Sequence, residues 1–366
     1  MSRFIKWGGV VLLFALLLEL GGCGFKDIEK RFFVVAIGVD QAKNSDKKFN
    51  ISLKFAIPSS SKDQPSQSII VTQEGDTISE AVRIIKTKVD REIDFSHAKV
   101  LLFGQKVVEK ELPAGIYYWF ARRRDIQEIA WIGIGKPSAL AVLKVRPKSE
   151  HFPGDALFLA LGKDGSETPF IISEFFFDFK KRTTEKGLDP VLPVLEAQKD
   201  LIVINTVGIF DKKRLKLLLN PVETMILNFF MINEQKSALK VKASQTIVID
   251  TKKVKNTYKI MKPKGKPPYI QVNSKIIGMM EEAVKYAVYN QHVSGYEKAA
   301  EKEFSHNIKQ MLIKFQKANV DPIGFGLRWR AHSFNRDDWQ EWKRIYPTIK
   351  FNVNSQVIIE DTGLIE

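Results

Sequence analysis

Phe32-Phe-Val-Val-Ala-Ile-Gly-Val-Asp40 decides how this chain is read. It is apolar from Phe32 to Val39, rich in β-branched and aromatic residues, and stopped by a carboxylate. The run is too short for a helix and lacks the polar alternation of a half-exposed strand. It therefore predicts a strand buried on both faces. Immediately downstream, Phe49, Ile51, Leu53, Phe55 and Ile57 alternate with other residues, the pattern of a half-buried strand. The polar connector 41–48 makes the two a hairpin, and the Ser/Pro-rich segment 58–67 closes it as a loop.

The next elements extend that sheet. Residues 68–72 read as a short strand. Thr77-x-x-Glu80 is a capping box, and Ile78, Ala81, Val82, Ile85 and Val89 line one face of the helix it starts. A strand at 99–103, a helix at 107–121, a strand at 126–134 and a helix at 139–145 follow. The order β-β-β-α-β-α-β-α predicts a mixed α/β unit built on one sheet. Residues 147–165, rich in Pro, Gly and charge, read as an irregular bridge with some short helix. The segment 168–181 reads as helical and contains Phe175-Phe-Phe-Asp-Phe179, the densest aromatic patch of the chain. Core packing is the ordinary reading of such a patch, and a partner-binding surface is the alternative.

The second half changes rhythm. Strands are expected at 191–196, 201–210 and 215–219. Asn220-Pro-Val-Glu223 starts a helix, with Asn as cap and Pro at the first position. Strands at 240–249 and 253–261 flank a charged turn, and a strand at 269–277 follows a proline-rich loop. The helix at 297–318 is the longest, with Ala300, Phe304, Ile308, Met311, Leu312 and Phe315 stepping by three and four. Two short helices carrying Trp329, Trp339 and Trp342 precede a closing strand at 349–359.

Upstream, Arg3-Phe-Ile-Lys6 leads into an apolar run from Trp7 to Leu18, then Glu19-Leu-Gly-Gly-Cys23. A charged start, a short apolar core and small residues before a cleavage point define a secretory signal peptide. Leu20-Gly-Gly-Cys23 also fits the bacterial lipoprotein box, with cleavage between Gly22 and Cys23 and lipid attachment on the Cys23 thiol. A retained transmembrane anchor is disfavoured, because a bilayer needs about 20 apolar residues. A plain signal peptide is disfavoured because the chain has one cysteine, and it stands where the box requires it. With Cys23 modified, no disulfide forms and stability rests on packing.

The predicted fold class is α+β: a multi-domain chain of mixed β-sheets with packed helices behind an N-terminal lipoprotein signal peptide. Residues 1–22 are read as that peptide. Residues 23–197 are read as an N-terminal mixed α/β region with a candidate break at 147–165, and 198–366 as a C-terminal α/β domain. Length supports more than one domain: 366 residues exceed what one small core organises. The hydrophobic fraction of 44% supports globular packing. The net charge of +15 suits a protein beside anionic lipids. Nucleic acid is not expected as a partner of an exported chain whose basic clusters, such as Arg122-Arg-Arg124, are short.

Motifs for chemistry are absent. None of His97, His151, His292, His306 and His332 pairs with a second ligand at helical spacing, and there is no H-E-x-x-H, so no metal is expected. No phosphate loop, dinucleotide fingerprint or G-x-S-x-G elbow occurs. Gly324-Phe-Gly326 reads as a structural turn. No cofactor or catalytic residue is predicted. Asp27 with Glu29, and Asp337 with Asp338, lie in charged, solvated stretches.

Several segments together carry a resemblance. Cys23-Gly-Phe-Lys-Asp-Ile-Glu-Lys-Arg-Phe-Phe-Val-Val-Ala-Ile-Gly-Val-Asp40 resembles the opening of the Ger(x)C spore-germination lipoproteins. Phe95-Ser-His-Ala-Lys-Val-Leu-Leu-Phe-Gly104, Arg124-Asp-Ile-Gln-Glu-Ile129 and Asp321-Pro-Ile-Gly-Phe-Gly326 are similar to further segments of that family, in the same order. So are the segment 338–347, Phe351-Asn-Val-Asn354 and Thr362-Gly-Leu-Ile365. The resemblance implies three mixed α/β domains and no enzymatic activity. It also implies the role of the C subunit of a nutrient germinant receptor. Such a subunit acts with a multi-pass A subunit and a permease-like B subunit, on the outer face of the spore inner membrane. Cys23 is the one functional residue it carries over. The competing classes are a solute-binding lipoprotein of a transporter, which would need two similar lobes around a cleft, and a surface enzyme, which would need a desolvated acid or metal cluster.

Overall fold

The computed structural model describes Trp7 and residues 30–57, 67–110, 114–148, 154–162, 168–232, 236–284, 293–332 and 337–362. Strand β1 (Arg31–Gln41) holds the opening stretch. It pairs antiparallel with β2 (Phe49–Ile57), which pairs with β3 (Gln67–Gly75), and it takes the short β4 (Glu92–Asp94) alongside. On its other side β1 runs parallel to β5 (Val100–Gly104), then β6 (Trp131–Lys136) and β7 (Val191–Gln198). Strands β8 (Leu201–Phe210) and β9 (Leu215–Leu219) finish this nine-stranded sheet antiparallel. A smaller sheet joins β10 (Ser237–Lys242), β11 (Thr246–Met261) and β12 (Tyr269–Ala283) antiparallel, and adds β13 (Lys350–Ile359) parallel to β12.

Ten helices cover these sheets among the described residues. In chain order they are α1 (Ile78–Ile85), α2 (Gln105–Lys110), α3 (Ala114–Arg122), α4 (Ala139–Lys144), α5 (Asp155–Leu161), α6 (Phe176–Thr184), α7 (Pro221–Met231), α8 (Val293–Lys317), α9 (Phe325–Ala331) and α10 (Asp338–Ile345). The class is the predicted one, multi-domain α+β with mixed sheets.

The central strands obey the rule that a parallel sheet is covered on both faces. Along β5, Leu101 and Phe103 enter one core with α1 and α3, whereas Val100 and Leu102 enter a second core with α4 and α5. A third core packs the smaller sheet under α7 to α10 and also takes Val191, Val207, Ile209 and Leu219 from the larger one. The two sheets therefore share apolar packing through α7.

Several local expectations shift for identifiable reasons. The segment 168–175 is not helical. Glu174 O accepts from Ile132 N, and Phe175 bridges Trp131, so this stretch spends its backbone groups on β6 and the helix waits until Phe176. Residues 126–130 form a turn before β6, with Ala130 O and Glu128 O accepting from the amides of Phe176 and Phe177. The single helix expected at 107–121 is two, α2 and α3. The charged turn expected at 250–252 is continuous strand. Register shifts at Val248/Ile249 and Thr251/Lys253 absorb the irregularity, and the chain reverses at Ala243–Gln245 instead. Bulges of this kind keep the ladder while re-aiming side chains.

Both capping signals are used. Glu80 N donates to Thr77 Oγ1 at 3.1 Å, while the Glu80 carboxylate reaches back one residue further, to Asp76 N. Asn220 and Glu223 make the full reciprocal box, each bond 2.9 Å. Asp40, the carboxylate that ends the opening stretch, has a longer reach. Its oxygens accept from the amides of Ala139 at 2.7 Å and Leu140 at 2.8 Å, at the start of α4. Gly104 makes room for it, because a Cβ there would lie 2.0 Å from Asp40 Oδ1. Asp40→Ala removes two charge-assisted bonds, each worth about 1.5–3 kcal/mol, and leaves the buried Ala139 amide unmet. The thermal unfolding midpoint of that variant falls by several degrees, whereas replacing the exposed Asp46 leaves it unchanged.

Candidate functional sites

Gly22 and Cys23, the residues of the proposed cleavage and lipid attachment, lie outside the described residues. The described chain reaches β1 directly from Lys30. No described helix is long and apolar enough to cross a membrane.

Among the described residues, a buried charge cluster sits where the loop after α6 meets the loop after α8. Asp321 is buried. Its Oδ1 accepts from Gly324 N at 2.8 Å and Phe325 N at 3.1 Å, and its Oδ2 from Gly326 N at 2.6 Å. The carboxylate thus meets the free amides at the start of α9, where a negative charge is favoured. Gly324 at φ 89° supplies the left-handed turn that aims these amides. The Asp321 amide donates to Asp189 Oδ2 at 2.6 Å, and Asp189 N donates to Asp321 O at 2.8 Å. Lys212 closes the cluster. Its Nζ donates to the carbonyls of Arg182, Glu185 and Leu188 and lies 3.4 Å from Asp189 Oδ1. Cations near a helix C-terminus take up its unpaired carbonyls in this way.

Around the cluster the two chain segments nearly touch. Leu327 N donates to Gly187 O at 2.9 Å, and Arg330 pairs with Glu185 at 3.0 Å. A Cβ on Gly187 would lie 2.4 Å from the Gly326 carbonyl carbon, and one on Gly326 2.4 Å from Trp342 Nε1. Gly324-Phe-Gly326 is the structural turn that the sequence suggested. The sequence reading missed the carboxylate that holds it, although Asp three residues before a Gly-x-Gly was a signal within reach.

Burial governs the acids here. Desolvation lifts Asp321 to about 7, opposed by the three amides and aided by the charge of Asp189. Desolvation likewise lifts Asp189, while the Lys212 charge pulls it down, and burial lowers Lys212. Glu174 is raised by desolvation to about 7 although Arg182 Nε lies 2.9 Å from its Oε1. That contact is an ion pair without a well-aimed N–H, since Oε1 accepts no hydrogen bond.

Two clefts among the described residues open at the surface. The larger, about 620 Å³, lies between β2, α1 and α3 and is lined by Lys48, Phe49, Ser79, Tyr118, Trp119 and Arg122 among others. Trp119 Nε1 donates to Ser79 Oγ at 2.8 Å, and the Arg123 guanidinium lies over the rings of Phe95 and Trp119 while its fork holds Asp125. The smaller, about 290 Å³, is an apolar groove between α7, β10 and α8. The aromatic run resolves mostly into core. Phe176 and Phe179 are buried, Phe175 stacks on Trp131 at 3.8 Å, and Phe177 is 39% exposed. No group of three or more potential metal ligands occurs among the described residues. His97 packs edge-on against Phe33, and His306 and His332 are exposed. His151 and His292 lie outside the described residues.

These features define a class: a multi-domain α+β protein whose strongest internal constellation is committed to holding two segments together. Comparison with known proteins narrows it. Residues 24–197 match the spore germination protein N-terminal domain, and residues 205–363 match the domain described as spore germination B3/GerAC like, C-terminal. The chain belongs to the Ger(x)C family of spore germination proteins. It is 20% identical over 362 residues to spore germination protein GerQC of Bacillus cereus, covering 97% of this chain and 99% of that relative. It is 23% identical over 394 residues to spore germination protein KC of Bacillus subtilis (strain 168), covering 97% and 95%. The crystal structure of the GerBC protein shares the fold, with a TM-score of 0.56 at 17% identity over 88% of this chain and 97% of that one.

The raised acids fix a pH dependence. Asp321 and Glu174 titrate near 7 when folded and near 3.8 and 4.5 as ordinary carboxyls. Between those values the folded chain holds protons that the unfolded chain has lost. Their contribution to stability is complete at low pH and declines as pH rises towards 7. The thermal midpoint therefore drops between about pH 5 and about pH 7.5. Glu174→Gln, which cannot titrate, shows a smaller drop; an equal drop removes Glu174 from the account.

Proposed function

We propose that this chain is the lipid-anchored subunit of a nutrient germinant receptor in the spore inner membrane. It lies on the outer face, assembles with the membrane A and B subunits, and acts by binding rather than by catalysis. The observation that carries the reading is the pairing of two family matches, which together span residues 24–363 with a short gap, with a lone cysteine at the start of the matched region. In this reading residues 1–22 are removed and Cys23 receives the lipid. Residues 23–197 and 198–366 then form the two main regions. Two acyl chains from one lipidated cysteine suffice for stable anchoring, where a single chain is marginal.

The charged interior supports a non-enzymatic role. Asp321 is enclosed and its oxygens are occupied by three amides. Asp189 and Lys212 are spent on each other and on backbone groups. A catalytic acid needs access to a substrate, and these groups face backbone.

Spores carrying Cys23→Ala at the chromosomal locus, in a strain without other nutrient receptors, test the proposal. The expected result is loss of the protein from the membrane fraction and at least a tenfold slower nutrient response. Retention in the membrane with normal germination overturns the anchor and the receptor role assigned to it.

A further inference from the structure

The smaller sheet has one face in the core and one in solvent, and the charged residues in the middle and at the hairpin end of the solvent face are all lysines. Lys255 and Lys259 on β11, Lys275 on β12 and Lys350 on β13 are exposed on it. Lys264 and Lys266 stand at the tip of the β11–β12 hairpin and are exposed too. None of these six makes an ion pair among the described residues. Lys255 and Lys275 are direct cross-strand partners, an arrangement that costs stability because like charges face each other. The positions between them are neutral: Asn273 opposes Asn354, and Gln271 opposes Asn352. The carboxylates of this face lie at its far end: Asp250 and Glu282 opposite Met279 and Val248, and Glu360 just past β13, paired with Lys252 at 2.9 Å. Folding alone gives no reason to concentrate lysines where no acid answers them.

We propose that this lysine face is a docking surface for a bilayer containing anionic phospholipid. The patch is flat, being a strand surface, and its charges are spread over three strands about 4.8 Å apart and along β11 at about 3.4 Å per residue. Its composition argues for lipid over a protein partner. Protein interfaces are depleted in lysine and anchored by arginine and large aromatics, and this face carries no arginine. Lysines on flexible stems suit a diffuse field of headgroups, where each contributes about a fivefold gain in binding. Exposed Met261 and half-buried Tyr269, paired at the hairpin tip, add an apolar edge beside the charges. The inference rests on the charge of the face and not on the anchor at Cys23.

The test uses the full chain with Cys23→Ser, so that a single cysteine introduced as Asn354→Cys carries a dye on the face. Energy transfer to a labelled lipid is measured on vesicles of phosphatidylcholine alone and of phosphatidylcholine mixed with phosphatidylglycerol. The N-terminal segment is the same throughout, so differences report the orientation of the sheet. Transfer is expected to be stronger on the anionic vesicles and to vanish at about 1 M salt, where screening acts within about 3 Å. The variant Lys255→Gln, Lys259→Gln, Lys275→Gln, Lys350→Gln is expected to lose it, the face-down population falling about fivefold per lysine. A dye at Ser45→Cys, on the β1–β2 connector, should show no such dependence. Equal transfer on both lipids, or persistence in the fourfold variant, overturns the proposal. So does loss of co-isolation with other spore membrane proteins in that variant while its lipid signal is unchanged, a result that assigns the face to an acidic protein.

Discussion

The carboxylate of Asp321 is the constraint on which the arrangement of the two halves depends. It is a charge taken out of water, which is costly unless every lone pair is met. Three amides at the start of α9 meet it, and they converge only because Gly324 turns left-handed. The backbone of Asp321 exchanges two hydrogen bonds with Asp189, which lies 132 residues earlier. Lys212 then supplies the positive charge that keeps two neighbouring acids from repelling each other. The site is thus a chain of obligations. Each group is buried because the next one satisfies it, and the close approach of Gly187 to Gly326 is the geometric result.

The smaller sheet follows a different economy. Its edges would be free to pair with other chains, and α8 prevents this. Glu301 accepts from Val357 N at 3.1 Å and Glu297 from Ile359 N at 2.9 Å along β13, while Glu303 accepts from Lys242 N at the end of β10. The acids of this region are thereby drawn to the helix side and the strand rims. The lysines remain on the open side. The lysines of the strands thus face one way, while α8 on the other side mixes both signs, with Lys298, Lys302 and Lys309 beside its glutamates.

Much of the fold was legible because periodicity is a local signal. The uninterrupted run from Phe32, the alternation from Phe49 and the three-and-four steps of Phe304, Ile308 and Phe315 each reported a face. The Asn220 box was legible because all its parts lie within four residues. What escaped was non-local. The extended course of 168–175 is set by β6, whose strand lies more than 30 residues upstream, and an aromatic-rich sequence there gives no hint of it. The strand through Asp250-Thr-Lys-Lys253 has the composition of a turn, but its ladder to β12 outweighs that preference. Asp321 looked like an ordinary acid before a proline; its burial depends on Asp189 and Lys212, which no spacing rule connects to it. The lysine face was present in the composition as charge, but its one-sidedness needed the pairing register.

The parallel pairing of β12 with β13 has a consequence for biogenesis. These strands are joined by a long crossover through α8, α9 and α10, and non-local pairing of this kind forms late because loop closure precedes any gain. A chain emerges from its N-terminus as it is made. The larger sheet can close as far as β9 while β12 still waits with a bare hydrogen-bonding edge, and Asp189 and Lys212 wait for Asp321. Until the last residues are made, the protein carries an unfinished sheet, and the Asp189–Lys212 pair lacks the Asp321 backbone that covers it in the finished fold. A chaperone would meet this intermediate with its sheet edge open, so the tail of the chain sets the moment at which the protein stops being a chaperone client.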